Sequence, residues 1–305
     1  LKIEKIRERL IIMRFYLTKR ESTHQSIKRI FTGLIKENIS LLNNHSEEVD
    51  KSIHDCRKNF KKLRAVLRLV RSDLSPHFYK THNIHFRNLS RKIAGLRDSF
   101  VIIEVLENLL KSNNQKVDEF ENLINSLREE YFQTKNRILF EENQPQSVIT
   151  SLNLSLDEFE NLPKIEERFA ALGNGIKTIY SKGKYFLELT YSDPTSEVFH
   201  EWRKNVKYLW HLLQIIQPVN YQVIKRMTID FKKLSDFIGD EHDLHELQLL
   251  LINRNVTNES LFRMINKKQF ELRSDAWKLG EKLYEKDADE FTAKLENYYK
   301  KWKEK

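Results

Sequence analysis

The fold turns on two stretches, "IHDCRKNFKKLRAVLRLV" (53–70) and "FHEWRKNVKYLWHLLQII" (199–216). Setting His54 on His200 places Arg57 on Arg203, Lys58 on Lys204, Asn59 on Asn205 and Lys61 on Lys207, with Leu63 and Leu67 on Leu209 and Leu213. Seven of fourteen positions are then identical, far more than two unrelated helices share. A second match, displaced by 145, sets Leu89, Ser90, Ile93 and Asp98 on Leu234, Ser235, Ile238 and Asp243. The chain repeats itself, and two halves of similar design are expected.

Wound at about 100° per residue, the first stretch separates into two faces. Phe60, Leu63, Val66, Leu67 and Val70 gather on one side and face a core. His54, Arg57, Lys58, Lys61, Arg64 and Arg68 form a cationic stripe beside it, with Lys62 close by. The second stretch repeats the layout: Val206, Leu209, Leu213 and Ile216 are apolar, and His200, Arg203, Lys204 and Lys207 are basic.

Cations crowded on one face repel one another, the more so where they line a groove. Asp55 and Glu201 fall to one side of the stripes and are not expected to relieve them. A bound polyanion would, through charge-assisted hydrogen bonds to phosphate oxygens. Arg57 and Arg203 can grip oxygens in pairs, Lys58, Lys61, Lys204 and Lys207 act as flexible point charges, and the histidines donate. A solvated basic face is the ordinary reading of one such helix. Its recurrence at the same register in both halves favours binding.

The rest of the chain agrees with an all-α class. Only 7 Gly and 5 Pro occur among 305 residues, which leaves few turn signals and argues for long helices. The net charge of +9 favours anionic partners. It is also segregated: +9 over residues 50–98, −8 over 118–167 and +5 over 177–233. An acidic flap folding over a basic groove is one arrangement this pattern suggests. Cys56 is the single cysteine, so no intrachain disulfide can form, and a reducing, cytoplasmic setting fits. The apolar run Leu10–Met13 is too short for a secretory core, and nothing approaches the roughly 20 apolar residues of a membrane span.

Read for organisation, the chain divides into an N-terminal basic helix (1–21), a first helical repeat (22–112), an acidic helix and linker (113–163) and a second helical repeat (164–305). Helices are expected over 2–17, 22–42 with Ser22 or Thr23 as N-cap, 47–72, 77–94, 98–111 and 117–140. Pro145 and its polar neighbours mark 141–155 as a linker, and helices follow at 164–191, 195–216, 219–238, 243–253 and 258–301.

The two signature stretches resemble the paired helices of the CHAD family, named for its histidine-bearing α-helical repeats. "IAGLRDSFVIIEVL" (93–106) and "FIGDEHDLHELQLL" (237–250) resemble the Gly-to-Asp segments that follow each signature helix, and "IYSKGKYFL" (179–187) the Tyr-and-basic run before the second. The resemblance covers roughly 22–300. It implies two pseudo-symmetric helical bundles around a basic central groove that holds inorganic polyphosphate, a cytoplasmic protein found with polyphosphate granules, and polyphosphate-metabolising enzymes as partners. The implied binding set adds Arg91, Arg97, Lys182 and Lys184 to the cations of the two stripes. The second half departs from the pattern: Tyr208 replaces the base at Lys62, Trp210 and His211 stand where the family has Arg and Tyr, and Gln214 replaces the base at Arg68. These changes predict that the first half carries most of the affinity.

No P-loop, GxSxG, HExxH or dinucleotide fingerprint is present. Neither His242, Asp243 and His245 nor His77, His82 and His85 have the helical spacing that sets three ligands on one face, so no metal or cofactor is expected. Trp202, Trp210, Tyr208 and Tyr180 read as core or groove walls, and Cys56 as core. The expected function is non-catalytic capture of polyphosphate. Nucleic acid is the alternative ligand, and a polyphosphate hydrolase or kinase, which would need carboxylates holding Mg²⁺ at the phosphates, comes third.

Overall fold

The computed structural model describes residues 15–44, 49–115 and 117–304, with the side chains at 97, 98, 117 and 118 left out. All its regular structure is helical among these residues. The elements are α1 (Thr23–Asn43), α2 (Val49–Leu69), α3 (Pro76–Lys92), α4 (Ala94–Ser112), α5 (Glu121–Asn136), α6 (Gln144–Glu160), α7 (Ala170–Ser192), α8 (Ser196–Ile216), α9 (Tyr221–Asn253), α10 (Glu259–Leu283) and α11 (Ala288–Glu304).

Local chemistry sets several boundaries. Ser22 caps α1 in a reciprocal box: its hydroxyl accepts from the Gln25 N–H, and the Gln25 side chain accepts from the Ser22 N–H at 2.9 Å. Ser75 caps α3, where Pro76 occupies the first turn and gives up no needed hydrogen bond. The helix expected over 2–17 lies mostly outside the described residues. Its described end, Phe15 to Leu17, is not helical, and the Leu17 N–H donates to the Ile215 carbonyl at 2.9 Å.

Four expectations need correction. The linker expected at 141–155 is helix: Asn143 turns left-handed at φ 44°, Pro145 then sits in the first turn of α6, and Val148, Ile149, Leu152 and Phe159 form its buried face. The helix expected from 164 begins at Ala170. Before it the chain is tied down without helix, the Glu166 N–H donating to Asp73 at 2.9 Å. The helices expected over 219–238 and 243–253 are one, α9, which runs through Gly239 unbroken. The single helix expected over 258–301 is two, α10 and α11. They part where Tyr180 donates to the Leu283 and Lys286 carbonyls at 3.2 and 3.0 Å, with the Glu290 N–H on Asp287 opening α11.

One buried cluster runs from Phe15 to Trp302. Phe159 of α6 packs against Phe31 of α1 at 4.5 Å and Phe86 of α3 at 5.6 Å, all three fully buried. Truncating Phe159 to Ala would cost about 3–5 kcal/mol. The acidic segment therefore supplies core (Ile124, Leu127, Leu139, Leu152 and Phe159 among its buried residues) and is no detachable flap. Two of its carboxylates meet bases from other helices: Glu130 pairs with Arg254 at the end of α9, and Glu158 lies 3.4 Å from His82 of α3.

The signature helices sit at the middle of this packing. α2 contacts α1, α3, α7 and α8, and α8 contacts α7, α9 and α2. α7 comes close to the end of α2 because residue 175 is glycine. A Cβ there would fall 2.3 Å from the Leu69 carbonyl oxygen and 2.4 Å from that of Arg68. No side chain fits in that space.

Candidate functional site

The two signature helices pass each other in opposite senses. Arg68, late in α2, lies over the ring of Tyr208 with its guanidinium 3.9 Å from the centroid. Lys61 and Lys62, a turn or two earlier, are near enough to His211, later in α8, to add to the lowering that burial imposes on its pKa. The cations sit in two places along this seam.

The first is a cleft of about 620 Å³ between α2, α3, α7 and α8. Arg68, Arg71, Lys182 and Lys204 line it against one carboxylate, Glu201, which Lys204 contacts at 2.6 Å. Asn174, Thr178 and Asn205 add polar groups, and Tyr79, Tyr185, Phe186 and Tyr208 aromatic walls. Asn83 of α3 holds Arg64 and Arg68 in place: its carbonyl accepts from Arg64 Nε at 3.1 Å and from Arg68 Nη1 at 3.0 Å. Burial lowers the Arg64 pKa. An arginine stays charged regardless, so the consequence is a cation with little water around it.

The second is a knot of bases where α2, α8 and α9 meet. Burial, reinforced by Arg203, pushes the Lys207 ammonium down to about 8, against partial relief from Asp243 and Asp236. Burial lowers Lys62, whose ammonium rests 5.1 Å from the Phe15 ring centroid and 3.4 Å from Asn59 Oδ1. The His200 and His242 rings lie 5.1 Å apart. Burial, then Arg203 and His200, takes His242 down to about 3, and His200 is lowered by burial and by Lys204. His211 is fully buried and held neutral. Its Nδ1 is 3.0 Å from the Gln214 amide oxygen, which can only accept, so Nδ1 carries the proton. Its Nε2 is buried with no hydrogen-bond partner.

Matched positions make matched contacts. Arg57 donates to the Ala94 carbonyl at 3.0 Å, and Arg203 packs at residue 239, the counterpart of 94, 3.7 Å from where a Cβ on Gly239 would stand. Lys58 pairs with Asp55 at 3.1 Å as Lys204 pairs with Glu201. Both acids were expected to fall aside. They do not, because three residues along a helix return to nearly the same face, and each relieves one lysine of its stripe.

The remaining expected residues scatter. His54 is half-buried on α2. Arg91 is exposed on the last turn of α3 and does not line the cleft. The side chain of Arg97 is outside the described residues. Lys182 lines the cleft, but Lys184, two residues on, donates to the Lys286 carbonyl at 3.1 Å and belongs to the α7–α11 packing. Arg71, Tyr79, Tyr185, Phe186 and His242 were not among the expected anion-binding residues. Arg71, one turn past Arg68, had a signal in the sequence: it continues the basic stripe beyond the helix end. Trp202, Tyr180 and Cys56 are core, as read. Among the described residues no group of three His, Cys, Asp or Glu is arranged to hold a metal ion, and no helix is long and apolar enough to cross a membrane.

Fold and site together define an all-helical protein organised on two mutually packed basic helices. The chain belongs to the CHAD domain family, whose match spans residues 33–251 and takes in both signature helices. No curated protein matches the chain.

Proposed function

We propose that this protein binds inorganic polyphosphate along the seam between α2 and α8, in a basic groove shared by two related halves, and does not transform it. The observation that carries this reading is the crowding of bases at the seam. Lys62, Arg203, Lys207 and His242 are half-buried there with His200 beside them, and burial first, then the neighbouring bases, lowers the pKa of Lys62, His200, Lys207 and His242. Such an arrangement is costly in the free protein. A chain of phosphates, with about one negative charge per residue and oxygens on every side, offsets the repulsion by charge-assisted hydrogen bonds. Family membership is consistent with a polyphosphate-related role.

The acids lining the cleft favour binding without catalysis. The single carboxylate lining the cleft, Glu201, is engaged by Lys204. Phosphoryl transfer through Mg²⁺ would need carboxylates converging on the phosphates. The protein thus acts in storage, targeting or turnover of polyphosphate, alongside the enzymes that make or degrade it.

The test is a competition titration: labelled long-chain polyphosphate on the full chain, challenged by single- and double-stranded nucleic acid across a salt series. Binding that weakens steeply with salt and resists nucleic acid is expected. Ready displacement by nucleic acid would replace the polyphosphate reading with a nucleic-acid one.

A further inference from the structure

The cleft between α2, α3, α7 and α8 carries more than a linear phosphate chain requires. Polyphosphate has no flat or apolar part, yet four aromatic side chains line this cleft beside its four cations. Two of the four already have a partner. Arg68 covers Tyr208 at 3.9 Å and Arg71 covers Tyr79 at 4.6 Å, so these rings serve to orient guanidinium groups. Tyr185 is different. It is 58% exposed, and its ring neighbour Phe186 meets it in a T-shaped contact, centroids 5.2 Å apart and planes at 73°. A T-shaped contact occupies at most one face of the Tyr185 ring and leaves the other for a planar group to stack on. Asn174 and Thr178, about three and two helical turns before Tyr185 on α7, add polar groups to the same wall.

We propose that this cleft takes a nucleoside polyphosphate, with its phosphates on Arg68, Arg71 and Lys204 and its base against Tyr185. The inference rests on the polyanion reading above and names a second ligand class for one end of that site. The volume of about 620 Å³ falls in the range of small-molecule pockets, roughly 300–1,000 Å³. Four cations against one engaged carboxylate suit a short, highly charged phosphate group. A single open ring suits one base, whereas a nucleic acid strand is held by a succession of such platforms.

The experiment is a calorimetric titration of the full chain, at fixed ionic strength, with ATP, tripolyphosphate, adenosine and long-chain polyphosphate. ATP and tripolyphosphate present similar charge, so any advantage of ATP comes from the nucleoside. ATP is expected to bind about tenfold more tightly than tripolyphosphate, the effect of one base–aromatic stack. Adenosine alone should bind weakly. Tyr185→Ala should bring ATP down to the level of tripolyphosphate, and Tyr185→Phe should keep the advantage. Tyr185 is exposed, so neither change threatens the fold. Equal affinity for ATP and tripolyphosphate in the unaltered protein overturns the inference, as does an ATP advantage that survives Tyr185→Ala. Long-chain polyphosphate separates the two readings. If it binds while ATP shows no advantage, only the cleft proposal falls; if it fails to bind, the polyphosphate function falls.

Discussion

The two signature helices share a residue pattern but carry different side chains at several matched positions. α2 keeps cations at Lys62, Arg64 and Arg68, where α8 has Tyr208, Trp210 and Gln214. Read as a loss, these changes make α8 a weaker version of α2. The contacts support a different account. Tyr208 is the plate on which Arg68 lies, with Arg64 5.9 Å from its centroid. Gln214 fixes the tautomer of His211, the neutral ring beside Lys61 and Lys62. Where the first helix has charge, the second offers surfaces that the charge of the first packs against.

The largest effect should come from removing charge on one helix at a time. Lys61→Gln, Lys62→Gln and Arg68→Gln together are expected to weaken long-chain polyphosphate by about a hundredfold or more, since each charge-assisted hydrogen bond contributes roughly 1.5–3 kcal/mol. A set of three cations on α8, Arg203→Gln, Lys204→Gln and Lys207→Gln, is expected to cost only about tenfold, because Glu201 already engages Lys204. Titration with circular dichroism as a control for folding reads both. Equal losses from the two sets would erase the distinction between the helices.

Replacing the plate tests it from the other side. Tyr208→Ala leaves every cation of α2 in the sequence but removes what Arg64 and Arg68 rest on. A loss of about tenfold in polyphosphate affinity is expected, from cation–π contacts of roughly 0.5–2 kcal/mol each. Tyr208→Phe keeps the ring and should bind normally. A double-mutant cycle with Arg68→Ala should show coupling. Strict additivity would mean that Tyr208 is only a wall.

Much of this was legible beforehand and some could not be. Helix positions followed from apolar periodicity and caps, so α8 was read to within one residue and α2 to within three. Pro145 misled because proline that breaks a helix interior is also favoured at its first turn, and only the buried face of α6 decides between the two. The gap expected between 238 and 243 does not exist: Gly239 lies inside α9, where Arg203 packs against it at ordinary contact distance. Glu241 reads as a surface acid in the sequence, yet it is 2% exposed and Arg273 neutralises it at 2.6 Å. The cationic stripe was visible on a helical wheel. Which of its members reach the cleft depends on α3 and α7, distant in the chain, and Asn83 and Tyr185 gave no signal of their own.

Lys207 makes the second helix sensitive to alkali in a way the first is not expected to match at Arg64 or Arg68. Its ammonium sits at about 8 against an ordinary 10.5, through burial and Arg203, with Lys232 also opposing it and Asp243 and Asp236 assisting. At pH 9 most of Lys207 is neutral in the free protein, and an arriving phosphate must re-protonate it. Linkage then requires proton uptake on binding and a loss of up to about tenfold in affinity between pH 7 and 9. Lys207→Arg keeps the charge throughout and should flatten that limb. Calorimetry in buffers of different ionisation enthalpy measures the uptake; an absence of proton uptake at pH 8.5 would mean that phosphate does not approach Lys207.

The smallest effect lies on the acid side, at His242. Burial, Arg203 and His200 hold it at about 3, with His245 and Lys61 adding to the repulsion and Glu246 3.9 Å away, so it is neutral when folded at any ordinary pH. Unfolded, it protonates near its ordinary 6.5. Between those values the unfolded chain binds more protons, and stability is lost as the pH falls below 6.5. Other histidines held down by burial, His82, His85, His200 and His211, act in the same direction but are common to a His242→Gln variant. The melting temperature of the unaltered protein should therefore drop between pH 7 and 5 by about 1–2 °C more than that of the variant. Added polyphosphate should shrink this difference, because phosphate oxygens at Arg203 and Lys61 remove the repulsion that keeps His242 neutral. If the difference persists unchanged at saturating polyphosphate, the anion does not reach the knot of bases, and the second helix serves only as the plate for the first.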